Sequence, residues 1–232
     1  MKFFSYLVFI LASLAMGTAY SEEAAPAPEI SKSTETKTET QKAEPVDPKF
    51  YTVIDGKRID NTDTRIEVVE LFWYTCPHCD GFDPYVKKWL KTKADDVAFY
   101  PMPAVFPNDS RLPLAKAFYV AQALNVLDKV HVPLFDTIHR EHKNLSTADA
   151  IAKIFEKHAD VSKKDFMNSY NSFSVDSAVR KAMTLTKSYG IQSVPSLVVN
   201  AKYRLNGKHI NGNKNMLKIV DGLIAKEREA KK

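Results

Sequence analysis

The sequence is poor in cysteine, since its 232 residues include only two. Both lie in one tetrapeptide, Cys76-Pro77-His78-Cys79. A small domain held together by disulfides needs several bridges, so a single neighbouring pair excludes that class of scaffold. A structural zinc site usually draws four ligands from two separated pairs, and we therefore expect no metal site. A redox-active or nucleophilic pair of cysteines remains.

The chain also lacks a second long apolar run after the one at its N-terminus. Lys2 is followed by apolar residues from Phe3 to Ala15 and then by small residues. This order predicts a secretory signal peptide over residues 1–21, cleaved after Ala19 or Ser21. The run is shorter than the roughly 20 residues of a membrane-spanning helix. We therefore expect a soluble protein exported to an oxidising compartment, most simply a bacterial periplasm.

The segment 22–47 lacks aromatic residues, and Ile30 and Val46 are its only large aliphatic residues. Such a segment cannot bury enough apolar surface to offset chain entropy, so we predict a disordered linker. It is acidic, with 7 acidic and 3 basic residues. Subtracting these and Lys2 from the 33 basic and 28 acidic residues of the chain leaves 29 basic and 21 acidic residues from Pro48 onward. The basic excess therefore belongs to the folded domain.

This basic excess lacks the pattern of a nucleic-acid-binding surface. Such a surface needs clustered basic residues interleaved with aromatic ones, whereas the lysines here are scattered. Export also argues against a nucleic-acid partner. We expect solvated helix faces, with weak attraction to anionic lipid as the alternative.

The hydrophobic periodicity from residue 48 onward predicts a mixed α/β domain. Apolar runs rich in β-branched residues predict strands, and apolar residues spaced three and four apart predict helices. Ser146, Ser162 and Ser174 are the expected helix N-caps. The predicted order is βαβ, a helical insertion of about 90 residues, and ββα: strand 51–54 with a turn at 55–56, strand 66–73, helix 79–93, strand 97–102, helices 112–124, 126–142, 147–158, 162–170 and 175–189, strands 194–199 and 202–205, and helix 213–226.

The cysteine motif lies where the strand 66–73 gives way to a helix. The first amides of a helix are unpaired donors, so a thiolate at this position is favoured and its pKa is lowered. Cys76 has this position, Pro77 suits the first turn because it lacks an amide proton, and His78 adds a donor and a charge when protonated. Cys79 lies one turn inward, and we expect it to be the resolving partner. A purely structural ring and half of a shared metal site are the alternatives, although a bridge over two residues restrains little chain.

The run from Leu71 to Cys79, together with Ser193-Val194-Pro195-Ser196, resembles the DsbA family of bacterial periplasmic thiol-disulfide oxidases, which have the thioredoxin fold. The likeness covers roughly residues 49–230 and includes the run from Leu127 to Phe135. It implies a thioredoxin-like domain formed by residues 48–103 and 191–232, with residues 104–190 inserted as a helical domain. It also implies a strongly oxidising cysteine pair.

The resemblance implies roles for three further residues. Val194 and Pro195 would form a cis peptide against the cysteines, with the backbone of Val194 free to pair with an extended substrate; an ordinary trans proline is the alternative. Glu70 matches the buried acid of the family and is a candidate for carrying the proton of Cys79. The alternative for Glu70 is an exposed carboxylate at a strand end. The type member of the family has a lysine facing this acid, and Pro101 has its place here.

The function implied by the resemblance is oxidation of newly exported proteins that carry free thiols. The disulfide between Cys76 and Cys79 would pass to the substrate through a mixed disulfide at Cys76, and no cofactor besides this disulfide is expected. A membrane quinone-linked partner similar to DsbB would reoxidise the pair. Two alternatives stay open: a disulfide isomerase or reductase on the same fold, and an exported chaperone or binding protein without redox turnover.

Overall fold

The structure is a computed structural model that describes residues 45–231. The predicted signal peptide and the predicted linker as far as residue 44 lie outside the described residues. Within 45–231, none of the helices has the length and apolar character of a membrane span.

A five-stranded sheet forms the centre of the described chain, in the order β1-β5-β4-β2-β3. Only β2 and β3 pair in parallel within this sheet, and the other neighbours are antiparallel. Every residue of β2 is buried, as expected for a central strand that is covered on both faces. The strands are β1 (Tyr51–Val53), β2 (Ile66–Phe72), β3 (Val97–Pro103), β4 (Ser196–Val199) and β5 (Tyr203–Leu205).

Seven α-helices are present in the same range, and they cover both faces of the sheet. They are α1 (Pro77–Leu90), α2 (Leu112–Ala123), α3 (Leu127–His139), α4 (Ala148–Ala159), α5 (Lys163–Tyr170), α6 (Phe173–Ser188) and α7 (Asn213–Ala230). Alternate residues of β2 point to opposite faces. Val68 packs in one apolar cluster with residues of α1 and α7, whereas Val69 packs in another with residues of α6. The order βαβ, helical insertion, ββα confirms the predicted thioredoxin fold.

The helical insertion has an apolar core of its own, which reaches the end of the central strand. Phe118 of α2, Leu134 of α3 and Phe155 of α4 are fully buried in one cluster. Phe72, the last residue of β2, and Cys79 belong to the same cluster. The insertion therefore packs directly against the junction that carries the cysteines.

The β4–β5 hairpin turns at Asn200 and Ala201, as predicted. Both residues have positive φ angles, 51° and 53°. Two consecutive positive φ values are typical of the type I′ turn, whose twist matches that of the strands.

Several local predictions are wrong by a few residues. Helices α4 and α6 are capped by Thr147 and Ser172, whose hydroxyl oxygens accept the N3 amides, and not by Ser146 and Ser174. Of the three predicted caps only Ser162 is confirmed. Candidate hydroxyls stand close together in these loops, and the conformation of the loop selects which one reaches the amide.

The expected turn at residues 55–56 is absent, because Gly56 packs against the turn between β4 and β5. Its amide donates to the carbonyl oxygen of Ala201 at 2.9 Å. A Cβ atom at this position would lie 2.6 Å from that oxygen and 2.9 Å from the ring of Tyr189. The glycine therefore serves a close backbone approach.

The folded region begins before Pro48, although the disordered linker was predicted to extend to Asp47. Val46 packs against the apolar cluster that includes residues of α7. It lies so close to Gly222 that a Cβ atom added to Gly222 would be 2.5 Å from the Cγ2 atom of Val46. Asp47 caps a short 3-10 helix by accepting the amide of Lys49 at 2.9 Å. The packing partner of Val46 lies in the last helix, so the composition of the linker could not reveal it.

Candidate active site

The cysteine pair lies at the start of α1, directly after β2. Cys76 is the N-cap and has extended backbone angles, and Pro77 is the first helical residue. The amides of Cys79 and Asp80 both donate to the carbonyl oxygen of Cys76 at 3.1 Å. The first turn therefore closes on Cys76, as predicted, although α1 begins at Pro77 and not at Cys79. Both cysteines are free thiols in this structure.

The two sulfur atoms have different environments. Cys76 is half-buried, whereas Cys79 is 1% exposed. Hydrogen bonding from the Cys79 thiol lowers the pKa of Cys76 to about 6, and the backbone amides of Cys79 and His78 and the charge of His78 act in the same direction. The pKa of Cys79 is strongly raised, first by its hydrogen bond to Cys76 and then by burial. Ionisation of the pair is thus concentrated on the accessible sulfur.

The loop before β4 brings Val194 and Pro195 against this sulfur. The peptide bond between these two residues is cis. The Sγ atom of Cys76 donates to the carbonyl oxygen of Val194 at 3.6 Å, across 118 residues of sequence. The tertiary structure therefore joins the two sequence motifs on which the family resemblance rests.

Glu70 lies in β2, two residues before its end, and is only 7% exposed. Burial, followed by the negative charge of Asp83, raises the pKa of Glu70 to about 8. The charge of Glu70 in turn contributes to the raised pKa of Cys79. Glu70 is therefore mainly protonated at neutral pH, and the alternative of an exposed carboxylate is wrong. Its partner across the β2–β3 pair is Pro101, so the register agrees with the placement expected from the resemblance.

Two histidines of α3 hold Tyr74, a residue for which the sequence suggested no role. The hydroxyl of Tyr74 is 2.8 Å from Nδ1 of His131, and Nε2 of His139 donates to the carbonyl oxygen of Tyr74 at 2.8 Å. Tyr74 is 2% exposed and precedes Cys76 by two residues. The insertion thus fixes the segment that leads into the cysteine motif. No local pattern could have revealed a contact between residues 57 positions apart.

Charged side chains also connect α1 to α3. Arg140, just after α3, donates to Asp80 at 3.0 Å and forms a second ion pair with Asp136 at 2.8 Å. Asp83 pairs with Lys87 at 2.7 Å and lies 3.6 Å from Nε2 of His131. The spacing of Asp83 and Lys87 is a recognisable helical pair, whereas the partners on α3 depend on the fold.

Comparisons with known proteins agree with this geometry. The sequence model of the family described as "DSBA-like thioredoxin domain" matches residues 98–223, which begin after the cysteine motif. The chain is 40% identical over 166 residues to the thiol:disulfide interchange protein DsbA of Azotobacter vinelandii, covering 72% of this chain and 77% of that protein. It is 39% identical over 168 residues to the DsbA of Pseudomonas aeruginosa, covering 72% and 79%.

Solved structures of DsbA proteins are also similar to this chain. The crystal structure of Pseudomonas aeruginosa DsbA matches with a TM-score of 0.72 and 36% identity, over 78% of this chain and 93% of that chain. The structure of the oxidoreductase DsbA from Xylella fastidiosa matches with a TM-score of 0.73 and 30% identity, over 80% and 98%. The matches in sequence and in structure extend over most of the relatives' length as well as most of this chain. The chain belongs to the DsbA family of thioredoxin-fold proteins.

Proposed function

We propose that the protein is a thiol-disulfide oxidoreductase that donates the disulfide between Cys76 and Cys79 to proteins carrying free thiols. The asymmetry of the pair carries this proposal: an accessible sulfur with a pKa of about 6 lies beside a buried one with a raised pKa. A thiol with a low pKa is a good leaving group, so the reduced enzyme is stabilised and the disulfide is oxidising. The relatives named thiol:disulfide interchange proteins support the same activity.

The reaction begins with the oxidised pair. A substrate thiolate attacks Sγ of Cys76, the bond between Cys76 and Cys79 breaks, and Cys79 leaves as a thiolate. The product is a mixed disulfide between Cys76 and the substrate. A second substrate thiolate then attacks the substrate sulfur of this bond and releases Cys76 as a thiolate. Two electrons pass from the substrate to the enzyme, and the substrate keeps the disulfide.

Glu70 supplies the proton that the leaving Cys79 requires. With a pKa of about 8 it is mainly a carboxylic acid at neutral pH. The raised pKa of Cys79 makes its thiolate a strong base, and proton transfer from Glu70 neutralises it. Reoxidation reverses the transfer. This role rests on the electrostatic contact between the two groups and on the burial that both share.

Val194 and Pro195 form the surface on which the substrate chain lies. The carbonyl oxygen of Val194 faces Sγ of Cys76 at 3.6 Å and is an acceptor for an amide of an extended peptide. Recognition through the backbone is independent of side chains, which suits an enzyme with many substrates. Residues 193–195 belong to no strand, so their backbone groups are not used in the sheet.

The proposed setting is a bacterial periplasm, with newly exported proteins as substrates and a membrane quinone-linked protein similar to DsbB as the reoxidant. The predicted signal peptide and the family membership support this setting. An oxidising compartment is also required for the disulfide to persist between turnovers.

Variants of the two cysteines test the mechanism. Cys76→Ser is expected to abolish oxidation of a reduced, unfolded protein, whereas Cys79→Ser is expected to accumulate mixed disulfides at Cys76 that a reductant releases. Full activity of Cys76→Ser would refute the assignment. Alkylation of free thiols in growing cells measures the redox state of the Cys76–Cys79 pair and so distinguishes the direction of the reaction. An oxidase is mainly in the disulfide form, whereas a mainly reduced pair would indicate an isomerase or a reductase. Retention of the cellular phenotype without both cysteines would indicate a binding protein.

A further inference from the structure

A cavity of about 550 Å³ opens beside Glu70, between α1, β3 and the start of α3. This volume is that of a site for a small organic ligand. Its lining does not include the two cysteines or the Val194–Pro195 loop, so it is separate from the surface on which substrate thiols react.

Glu70 lies in this cavity without a partner. Although its side chain is more than nine-tenths buried, no hydrogen bond to its carboxyl group is present among the described residues. Its neighbour across the sheet, Pro101, has no N–H to offer. Its carboxyl oxygens reach the open space of the cavity, so a donor bound there would form hydrogen bonds with them.

The other two acidic groups of the cavity differ in their surroundings, since one has cationic neighbours and the other is exposed to solvent. Asp83 already pairs with Lys87 at 2.7 Å and has His131 at 3.6 Å. Asp128 is exposed at the mouth, in the first turn of α3. The lining therefore contains three carboxyl groups and a single lysine. Within residues 45–231, the deepest of these carboxyl groups, that of Glu70, forms no ion pair.

The walls between these acids are apolar. Leu90 of α1, Phe99 of β3 and Leu127 of α3 all line the cavity and are half-buried. A ligand that fits this surface has a compact cationic head with several donors and an aliphatic stem. An ammonium group has three donors on one point charge, whereas a guanidinium group is planar and broader.

We propose that this cavity binds an aliphatic primary ammonium ion, with its head against Glu70 and Asp83 and its methylene stem against Leu90, Phe99 and Leu127. The ligand is either a free diamine or polyamine, or the lysine side chain of a bound protein. The proposal goes beyond the oxidoreductase function, although both use Glu70. Binding of the cation needs neither sulfur to react, so it is measured without thiol-disulfide exchange.

Binding increases as the pH rises, because the ionised form of Glu70 is the one that attracts a cation. Its raised pKa places this change around pH 8, where the amine is still protonated. The charged or titratable groups around Glu70 are those that line the same cavity, Asp83 and Lys87 of α1 and Asp128 and His131 of α3, together with Cys79, whose pKa the charge of Glu70 raises.

The test is a titration of the mature protein with 1,5-diaminopentane, followed by calorimetry and by amide chemical shifts of β3 and α3. We expect saturable binding that strengthens with pH, and none with 1,5-pentanediol, which has the same stem without charge. Glu70→Gln is expected to weaken binding at least about tenfold, because a hydrogen bond to a charged group is lost. The matched control is Glu67→Gln, a second buried acid of β2 that points to the opposite face of the sheet and does not line the cavity.

Absence of saturable binding, equal binding of the diol, or unchanged binding in Glu70→Gln would overturn the proposal. Leu127→Trp is the second variant, and it fills the cavity without removing a charge. Should Glu70→Gln not fold, unchanged binding in Leu127→Trp overturns the proposal and its loss supports it. Competition with Nα-acetyl-lysine amide distinguishes the sources: displacement supports a lysine side chain, and failure to displace supports a free diamine. The titration is repeated with Cys76→Ser, so that loss of redox activity and loss of binding are measured independently.

Discussion

The low pKa of Cys76 depends more on the Cys79 thiol than on His78, according to the structure. Hydrogen bonding from Cys79 is the first cause of the lowering from 9.0 to about 6. His78 acts first through its amide, which His78→Ser keeps, and then through its charge. A hydrogen bond to a charged group contributes roughly 1.5–3 kcal/mol, or about one to two pKa units. Because Cys76 is only half-buried, solvent screening reduces this effect to about one unit.

Cys79→Ala is therefore expected to raise the pKa of Cys76 by about one unit, and His78→Ser by less than about half a unit. Cys79→Ser keeps a donor and is the matched control, so its effect should lie below that of Cys79→Ala. The ultraviolet absorbance of the thiolate, followed against pH in the reduced proteins, measures all three. A larger shift in His78→Ser than in Cys79→Ala would refute the reasoning, and equal shifts in Cys79→Ala and Cys79→Ser would exclude the hydrogen bond as the cause.

The same pKa has a consequence for stability. The folded-state pKa of Cys76 lies below its unfolded value of 9.0, so the contribution of the thiolate is fully present above pH 9 and is lost as the pH falls through about 6. Three units correspond to about 4 kcal/mol, which solvent screening at a half-buried sulfur reduces to about 2 kcal/mol. The free energy of unfolding of the reduced protein, compared with Cys76→Ser by urea denaturation, should show this dependence. A difference that does not change across the interval would contradict it.

Three further predictions concern Glu70, Tyr74 and the start of the folded region. Glu70 has a folded pKa of about 8 against a usual value of 4.5, so the free energy of unfolding should fall as the pH rises through this interval, by roughly 5 kcal/mol, and Glu70→Gln should remove this fall. Tyr74→Phe removes the hydrogen bond to His131 and should cost about 1 kcal/mol in urea denaturation while the titration of Cys76 stays unchanged. Gly222→Leu should displace Val46 and expose the segment before Pro48 to proteolysis, whereas Gly81→Leu, at an open position, should not.

The elements of the fold could be predicted because their signals are local. The apolar run of β2 and the helical spacing of Phe82, Val86 and Trp89 each lie within a few residues, and they describe which face is buried. Element ends were less accurate: α7 continues to Ala230, four residues beyond the prediction. Its last turns are held by buried Glu227, which pairs with Lys202, and by Arg228, which pairs with Asp96. The exchange of Ser146 for Thr147 as an N-cap has a similar origin, since adjacent hydroxyls compete for one amide.

The sequence by itself determined the chemistry of this protein: two cysteines in one tetrapeptide, at the N-terminus of a helix, predict a reactive and a resolving sulfur. It also determined the order of the strands and helices. Only the tertiary structure decided what surrounds the pair, because these contacts join distant positions, as between Cys76 and Val194 or Tyr74 and His131. The burial of Glu70 and the cavity beside it likewise depend on how α1, β3 and α3 pack together, since a pKa is set by the solvent and charges around a group and not by its neighbours in the chain.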